Sequence, residues 1–237
     1  MLNPIFEPTF IYNSYSCRIN KGTHRGINSL EKALKKISEN NKIPCFILKC
    51  DIKKFFGSID QKILLLMIQE RIRDNDVFCL TKKIITSFPS GLPLGNLTSQ
   101  LFANIYLNKL DQFVKQNLKI PFYIRYTDDF VIIDENRERL FYWLSRIKQF
   151  LSNELLLKLH PNKIFIRKYR RGIDFLGYIQ FPHHRILRRK TKKRIFKKIK
   201  RGASEHSLHS YLGVLSHANE YKFSEEIKNL FWFNQKQ

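Results

Sequence analysis

A short stretch in the middle of the chain decides the fold: Tyr126-Thr127-Asp128-Asp129-Phe130. The residues on either side of it, 122–125 and 131–133, are rich in β-branched and aromatic side chains, which predicts two strands. The pair Asp128-Asp129 falls where a tight hairpin turn would join those strands. Such a turn would place two carboxylates side by side at the end of a sheet.

Two neighbouring carboxylates repel each other, and this repulsion favours either a raised pKa or a bound cation. Oxygen ligands at a close pair suit Mg²⁺. The alternative is an ordinary turn, because Asp side chains often hydrogen-bond to the backbone of turns. Asp128 and Asp129 alone do not decide between these two interpretations.

A third carboxylate, Asp51, favours the metal site. Residues 46–50 alternate in a pattern typical of a strand in a half-buried sheet, and Asp51 follows at the end of that strand. Asp60, by contrast, precedes an apolar helical segment and is interpreted as a helix cap. Asp51, Asp128 and Asp129 can meet on adjacent strands, where they would form one cluster for two Mg²⁺ ions. Such a cluster stabilises the attacking and leaving oxygens in phosphoryl transfer.

Composition indicates a polyanionic partner. The chain has 237 residues, of which 43% are apolar, so a folded core is expected. Its 43 Lys and Arg residues exceed 20 Asp and Glu residues and give a net charge of +23. Nucleic acid is the first candidate to relieve this repulsion, and a membrane surface is the second. No apolar run could span a membrane and no C-x-x-C pair occurs, so no membrane is predicted and a reducing, cytoplasmic setting is favoured.

The remaining elements are predicted from apolar periodicity and chain breakers. Residues 1–27 are predicted to be extended, and strands are predicted over 164–166 and 173–181. Helices are predicted over 28–41 (with Asn28 as N-cap), 77–88 and 136–157, and two short helices over 207–233. A loop over 90–97 is predicted to precede a further helix that begins at Thr98 or Ser99. The composition changes near residue 183, where a domain boundary is predicted.

A strongly basic segment follows that boundary. Between Arg185 and Arg201, 11 of 17 residues are Lys or Arg and none is acidic. A charge run is usually a solvated face, but a run without any acid favours a helix that lies along a phosphate backbone. The residues predicted to contact that backbone are Arg188, Arg189, Lys192 and Lys193.

Three ordered blocks together resemble reverse transcriptases: CDIKKFF around Asp51, GLPLGNLTSQ over 91–100, and YTDDF over 126–130. In retroviral relatives the residue before the second glycine of the loop is Gln and the helix begins with Ser-Pro. Here these positions are Leu94 and Ser99-Gln100, a variant similar to reverse transcriptases of diversity-generating retroelements. The opening segment from Pro4 to His24 is also similar to that group, and the resemblance covers about residues 4–181.

The resemblance implies an α+β fold, a right-hand polymerase with an antiparallel palm sheet packed on helices, partial fingers and a C-terminal helical, basic thumb. Residues 1–50 would form the partial fingers and lead into the palm, 51–183 the palm with the catalytic motifs, and 184–237 the thumb. The implied activity is RNA-directed DNA polymerase with two Mg²⁺ ions. Its partners would be an RNA template, a DNA or RNA primer and deoxynucleoside triphosphates, with a small basic accessory protein as a further candidate.

By the same resemblance, Asp51 and Asp128 would bind both metal ions, Asp129 would support the cluster and Ile52 would lend a backbone carbonyl. Lys163 would lie near the leaving pyrophosphate and count with the three Asp residues as catalytic. The nucleotide would contact Phe56, as the steric gate against a ribose 2′-hydroxyl, and Leu94, Gly95 and Gln100. The primer grip would be Phe175, Leu176, Gly177 and Tyr178.

Two questions stay open at this point: the role of Leu94 and the state of the chain. Leu94 either loosens the pocket of the nascent base pair, since it offers no hydrogen bond, or simply packs under the palm helix. The family's upstream fingers segment, which holds the triphosphate with basic residues, is expected before the point where this sequence begins. The chain is therefore expected to be a fragment, to receive its fingers from another subunit, or to be degenerate. The corresponding functions are an active polymerase and a truncated, inactive polymerase-like domain that binds RNA or a partner.

Overall fold

The computed structural model describes residues 2–235 and divides the chain into two compact units, 1–167 and 168–237. We call them unit 1 and unit 2. The boundary predicted near residue 183 lies inside unit 2, between strands β6 (Tyr178–Gln180) and β7 (Arg185–Leu187), which pair with each other. Within residues 2–235, no helix is long and apolar enough to cross a membrane.

A four-stranded sheet is the centre of unit 1. Its strands are β1 (Phe46–Asp51), β2 (Tyr123–Tyr126), β3 (Asp129–Asp134) and β4 (Phe165–Lys168), in the order β2-β3-β1-β4. Both β1 and β2 run antiparallel to β3. The predicted strands on either side of the Asp pair and before Asp51 are therefore confirmed.

Strand β1 is buried on both faces. Ile47, Leu48 and Cys50 have no exposed surface, and Lys49 is 9% exposed. The predicted half-buried sheet is therefore wrong for this strand. Helix α7 (Arg137–Glu154) packs against β1 and β3, and helix α2 (Thr23–Ile37) packs against β2 and β3.

The other helices of unit 1 are α1 (Asn3–Phe6), α3 (Phe55–Ser58), α4 (Gln61–Gln69), α5 (Asn75–Thr86) and α6 (Leu97–Gln112), which a π-helical segment, Phe113–Asn117, continues. Asp60 caps α4 as predicted, since its carboxylate accepts from the Ile63 amide at 2.9 Å. Two expectations are wrong. The first 27 residues are not simply extended, and α2 begins at Thr23, so Asn28 lies inside the helix and is not its N-cap.

Burial of apolar side chains explains why these helices form where they do. On α2 the buried residues Ile27, Leu30, Leu34 and Ile37 form one stripe toward the sheet. On α6, Tyr106 is fully buried, donates to the Leu155 carbonyl at 2.7 Å and accepts from the Asp60 amide at 3.3 Å. Full burial of each such side chain contributes on the order of 1.5–3 kcal/mol.

Unit 2 combines a small sheet with three helices. Strand β5 (Ile173–Phe175) pairs with β6, and β6 with β7. The helices are α8 (Arg189–Lys200), α9 (Glu205–Leu215) and α10 (Tyr221–Gln235), and α10 packs against both α8 and α9. The predicted basic helix and the two short helices after it are thus present, although the first three residues of the basic run, Arg185–Leu187, form β7 instead.

Candidate active site

A two-residue turn joins β2 to β3 and carries the first carboxylate. Tyr126 and Asp129 are register partners, so the turn consists of Thr127 and Asp128. Asp129 is therefore the first residue of β3, and the turn predicted at Asp128-Asp129 is wrong by one residue. Thr127 has a φ of 52°, the left-handed conformation that tight hairpin turns use but that β-branched residues rarely adopt.

The register of β1 and β3 brings the other two carboxylates together. Asp51 and Asp129 are Cα partners on antiparallel strands, so their side chains leave the sheet on the same face. The turn is also tied to β1, because the Ile52 amide donates to the Asp128 carbonyl at 3.2 Å. Asp51, Asp128 and Asp129 therefore lie at one end of the four-stranded sheet.

Lys163 reaches the same end of the sheet through the segment after α7. The His160 amide donates to the Asp51 carbonyl at 2.7 Å, and a 3-10 turn over Pro161–Lys163 follows. The Lys163 ammonium then donates to both carboxylate oxygens of Asp51, each at 2.9 Å. This hydrogen bonding raises the pKa of Lys163, so its side chain stays protonated at neutral pH.

Lys49 is a second lysine of the site, and the sequence analysis missed it. Its ammonium contacts Oδ2 of Asp129 at 2.9 Å, and its side chain is only 11% exposed. Lys49 lies two residues before Asp51 on β1, and residues at this spacing share one face of a strand. That spacing was the signal that could have placed Lys49 beside the carboxylates.

The electrostatics of the site favour a bound cation. Burial raises the pKa of Asp128, and the charge of Asp51 raises it further. Burial also raises the pKa of Asp129 to about 6, against the opposing effect of Lys49. Oδ1 of Asp129 is buried and has no hydrogen-bond partner. A divalent cation would relieve both conditions, because it supplies the positive charge that buried carboxylates need.

The donor set has the chemistry that Mg²⁺ requires, since carboxylate and carbonyl oxygens are its usual protein ligands. Within residues 2–235, no three His, Cys, Asp or Glu side chains are grouped so that they alone could hold a metal ion. Lys163 and Lys49 instead contact the carboxylates of Asp51 and Asp129. Proteins usually bind Mg²⁺ through one or two carboxylates, with phosphates of a substrate completing the coordination. The residues present therefore fit the ion.

The loop before α6 is fixed against α3 at Gly91. The Leu92 amide donates to the Phe56 carbonyl at 2.8 Å. Nε2 of Gln61 donates to the carbonyls of Phe88 and Gly91 at 3.1 and 3.0 Å. A Cβ at Gly91 would lie 2.3 Å from the Phe56 carbonyl oxygen, and its φ is +60°, so only glycine fits. The backbone of Phe56 is therefore held in place.

The predicted nucleotide contacts lie on α3, on this loop and on the first turn of α6. Phe56 is partly buried, and its ring packs edge-to-face on Phe55 with centroids 5.3 Å apart. Leu94 is 80% exposed, so the alternative in which it packs under a palm helix is wrong. Gly95 is also exposed, with a φ of 93°, whereas Gln100 is partly buried.

The predicted primer grip forms the β5–β6 hairpin of unit 2. Phe175 and Tyr178 are register partners with buried side chains, and the Tyr178 hydroxyl donates to the Val214 carbonyl at 3.0 Å. Leu176 and Gly177 form the turn between them, with φ values of 52° and 87°, and both are partly exposed. The two aromatic rings therefore belong to the core of unit 2, and the turn is the part that a ligand could contact.

Helix α8 has one buried side and one basic side. Ile195 and Ile199 are buried. The exposed residues of α8 are all basic, and we call them the basic surface: Arg189, Lys190, Lys193, Arg194, Lys197, Lys198 and Lys200.

The four predicted phosphate contacts divide into two pairs. Arg189 and Lys193 belong to the basic surface. Arg188 instead forms an ion pair with Asp174, in which Nε donates to Oδ1 at 2.9 Å. Lys192 contacts Glu220 at 2.6 Å, and the Glu220 side chain is only 5% exposed. Arg188 and Lys192 therefore stabilise unit 2 itself.

Comparison with known proteins identifies the class of protein. The profile of the family described as "Reverse transcriptase (RNA-dependent DNA polymerase)" matches residues 1–180. The chain belongs to the reverse transcriptase family, and the resemblance drawn from the three sequence blocks is confirmed at that level.

Two curated relatives show the extent of the similarity. Group II intron-encoded protein LtrA of Lactococcus lactis subsp. cremoris is 24% identical over 310 residues, covering 98% of this chain and 50% of that protein. Protein YkfC of Escherichia coli (strain K12) is 23% identical over 233 residues, covering 81% of this chain and 59% of that protein. The chain thus spans between half and three-fifths of the length of these relatives.

Solved structures agree on the fold. Telomerase from Candida albicans, in complex with the TWJ fragment of telomeric RNA, matches 97% of this chain and 50% of its own chain with a TM-score of 0.60 at 12% identity. Apo telomerase from Candida tropicalis matches 98% of this chain and 47% of its own chain with a TM-score of 0.56 at 16% identity. Identities this low show the α+β fold alone. The narrower likeness to diversity-generating retroelements stays a prediction.

Proposed function

We propose that the chain is an RNA-directed DNA polymerase of a retroelement, which adds deoxynucleotides to a primer on an RNA template. The observation that carries this proposal is the convergence of Asp51, Asp128 and Asp129 at one end of the sheet. Fold stability alone does not call for three neighbouring acids, because burial and mutual repulsion disfavour their ionised forms.

The residues of the site would divide the work of phosphoryl transfer. Asp51 and Asp128 would hold two Mg²⁺ ions, with a carbonyl oxygen from Ile52, and Asp129 would support them. When bound, the ions would stabilise charge on the attacking and leaving oxygens. Lys49 keeps Asp129 oriented through its 2.9 Å contact.

Lys163 would act on the leaving group. Its raised pKa keeps it protonated, so it can offer positive charge or a proton to a pyrophosphate oxygen. Its side chain is 54% exposed, which leaves the ammonium room to move from Asp51 toward a substrate.

Nucleotide selection would fall to the Phe56 region. The carbonyl of Phe56 is held by the Leu92 amide, and Gly91 packs against the same atom, so the position of the backbone at the gate is fixed. From there the ring would exclude a 2′-hydroxyl by bulk. Leu94, Gly95 and Gln100 would lie along the nucleotide.

Template and primer would bind chiefly through charge. The basic surface of α8 matches a phosphate backbone and favours a polyanion over the small basic accessory protein that the resemblance also implies. The turn at Leu176 and Gly177 would contact the primer. The retroelement is proposed to be of the diversity-generating type, with support from Leu94 and Ser99-Gln100.

Primer extension tests the proposal directly. The purified chain is mixed with an RNA template, an annealed DNA primer, deoxynucleotides and Mg²⁺, and products are resolved by length. Template-dependent extension that stops on chelation, and is lost in Asp51→Asn, is the expected result. Extension that persists in Asp51→Asn would indicate a contaminating polymerase. Binding without extension would instead support the inactive, RNA-binding alternative.

A further inference from the structure

Thr127 is held in an unfavourable backbone conformation directly before Asp128. Its φ of 52° lies in the left-handed region, which a β-branched side chain rarely enters. Such strain persists only where the surrounding structure imposes it, and it concentrates at functional sites. The contacts that impose it on Thr127 are therefore informative.

Two hydrogen bonds fix Thr127. Its hydroxyl donates to the Ser16 hydroxyl oxygen at 2.9 Å, and its carbonyl accepts from Nη1 of Arg125 at 3.0 Å. Ser16 is itself fixed by α6, because Nδ2 of Asn104 donates to the Ser16 carbonyl at 2.9 Å. The turn is thus clamped from its side chain and from its backbone.

The Arg125 side of this clamp is rigid because it is buried and fully paired. Arg125 is 0% exposed, and its Nε and Nη2 donate to the two oxygens of Asp111 at 2.8 and 2.6 Å. Nη2 also donates to the Ser14 hydroxyl at 3.0 Å, and the Tyr123 hydroxyl donates to Asp111 at 2.8 Å. A buried ion pair of this kind adds little net stability, so its contribution here is fixed geometry.

The segment around Ser16 is joined to β2 by backbone hydrogen bonds as well. The Arg125 amide donates to the Asn13 carbonyl at 2.9 Å, and the Tyr15 amide donates to the Arg125 carbonyl at 3.0 Å. Ser14 and Arg125 form a parallel bridge. This part of the N-terminal region is therefore an integral neighbour of the hairpin.

We infer that Ser16 and Thr127 are positioning residues for Asp128, and that their hydroxyl–hydroxyl bond locks the strained turn in the orientation that the carboxylate needs. The catalytic part of this inference rests on the proposed function. Without the lock, the peptide at Thr127 can relax toward a commoner conformation and move Asp128 relative to Asp51. A misplacement of about 1 Å at a reacting centre can cost on the order of 10²-fold in rate.

The test compares Ser16→Ala and Thr127→Val, which remove one hydroxyl each, with Thr127→Ser, which keeps it. Thr81→Val is the control, because Thr81 is as buried as Ser16, at 3% exposure each, and its hydroxyl donates to the Val77 carbonyl at 2.8 Å on α5. Arg125 and Asp111 stay unchanged, since removing either would leave a buried charge unpaired. Each variant is measured for its single-turnover extension rate, its Kd for primer–template, its Tm, and amide hydrogen exchange over residues 123–134.

We expect Ser16→Ala and Thr127→Val to lower the extension rate by at least about 10-fold, with an unchanged Kd and faster exchange at the turn. Thr127→Ser should keep most of the rate, and Thr81→Val should lower only the Tm. Rates that follow Tm in all variants, or unchanged exchange at the turn, would overturn the inference. If the wild type extends no primer, the proposed function fails, and hydrogen exchange alone then decides whether the two hydroxyls lock the turn.

Discussion

The carboxylate end of the four-stranded sheet and the basic surface of α8 are built in opposite ways. At the sheet end, Asp51 and Asp129 are register partners, each of these two carboxylates contacts a specific lysine, and Asp128 lies in the clamped turn, directly after Thr127. On α8, the exposed cations project from one helix face, while Lys192 and Arg188, the N-cap residue that precedes the helix, form ion pairs within unit 2.

The difference teaches where single substitutions should matter. The proposed chemistry at the sheet end depends on individual oxygen atoms, so losing one should stop the reaction without weakening nucleic-acid binding. The proposed affinity for nucleic acid is spread over the many charges of the basic surface, so losing one or two should weaken binding gradually and leave the reaction itself intact.

The largest effect is expected for Asp128→Asn. This change removes a proposed metal ligand, which contributes several kcal/mol of charge stabilisation, so the single-turnover extension rate should fall by about 10³-fold or more. The Kd for primer–template should stay within about 2-fold, since phosphate contacts supply the affinity. Asp60→Asn is the control, because Asn caps a helix as well as Asp does. An equal loss in both variants, or a large change in Kd, would break the comparison.

A smaller effect is expected for Phe56→Ala. Loss of the ring should lower discrimination against ribonucleotides by on the order of 10- to 100-fold, because a pocket that rejects by bulk loses its barrier when the bulk is removed. The measurement is kcat/KM for a deoxynucleotide and the matching ribonucleotide. Phe78→Ala removes another partly buried ring, on α5, and should leave the ratio unchanged. Unchanged discrimination in Phe56→Ala would mean that Phe56 is a core residue only.

The basic helix allows the comparison to be sharpened within one element. Changing Arg189 and Lys193 to Ala should reduce the log–log salt slope of primer–template binding by about 0.7 to 0.9 for each phosphate that the protein no longer neutralises. Changing Arg188 and Lys192 to Ala removes the same charge but should chiefly lower the Tm, because the buried Glu220 then loses the cation that balances its charge. A slope for Arg189→Ala/Lys193→Ala that equals the wild-type slope would show that the basic surface is merely solvated.

The smallest effect is expected for Leu94→Gln. An added amide near the nascent base pair can supply one hydrogen bond, which corresponds to about 1 kcal/mol or roughly 5-fold in selection. Misincorporation, most of all opposite template adenine, should fall by that order. Leu97→Gln is the matched control, since Leu97 is 82% exposed and Leu94 is 80% exposed. Equal error spectra at equal extension rates in all three proteins would rule out a role for Leu94.

Much of the sheet and of the carboxylate cluster could be predicted because their signals are local. Alternation marks β1, β-branched and aromatic residues mark β2 and β3, and an Asp at a strand end stands out in sequence. The start of α2 was missed because Thr23 and Gly26 are poor helix formers, whereas burial of Gly26 and Ile27 against the rest of unit 1 overrides propensity.

The exact position of the turn and the role of Arg125 could not be predicted from local sequence. β-branched residues such as Thr rarely adopt the left-handed conformation, so the sequence pattern predicted the turn one residue too late, at Asp128-Asp129. Among 43 Lys and Arg residues, nothing local marks Arg125 as buried beside Asp111. Its role depends on contacts with residues 14, 104 and 111, which only the tertiary fold brings together. Lys49 was readable from strand spacing once Asp51 had been placed.

Lys49 and Lys163, the two lysines at the sheet end, also bear on whether the protein folds without a metal ion. Burial and mutual repulsion of the carboxylates at the sheet end would oppose folding, whereas the ammonium groups of Lys49 and Lys163 reduce that cost through their contacts with Asp129 and Asp51. We therefore expect unit 1 to fold without a divalent cation, unlike small zinc domains, which stay unfolded without their metal. Purification in chelator should yield folded protein whose activity returns when Mg²⁺ is restored.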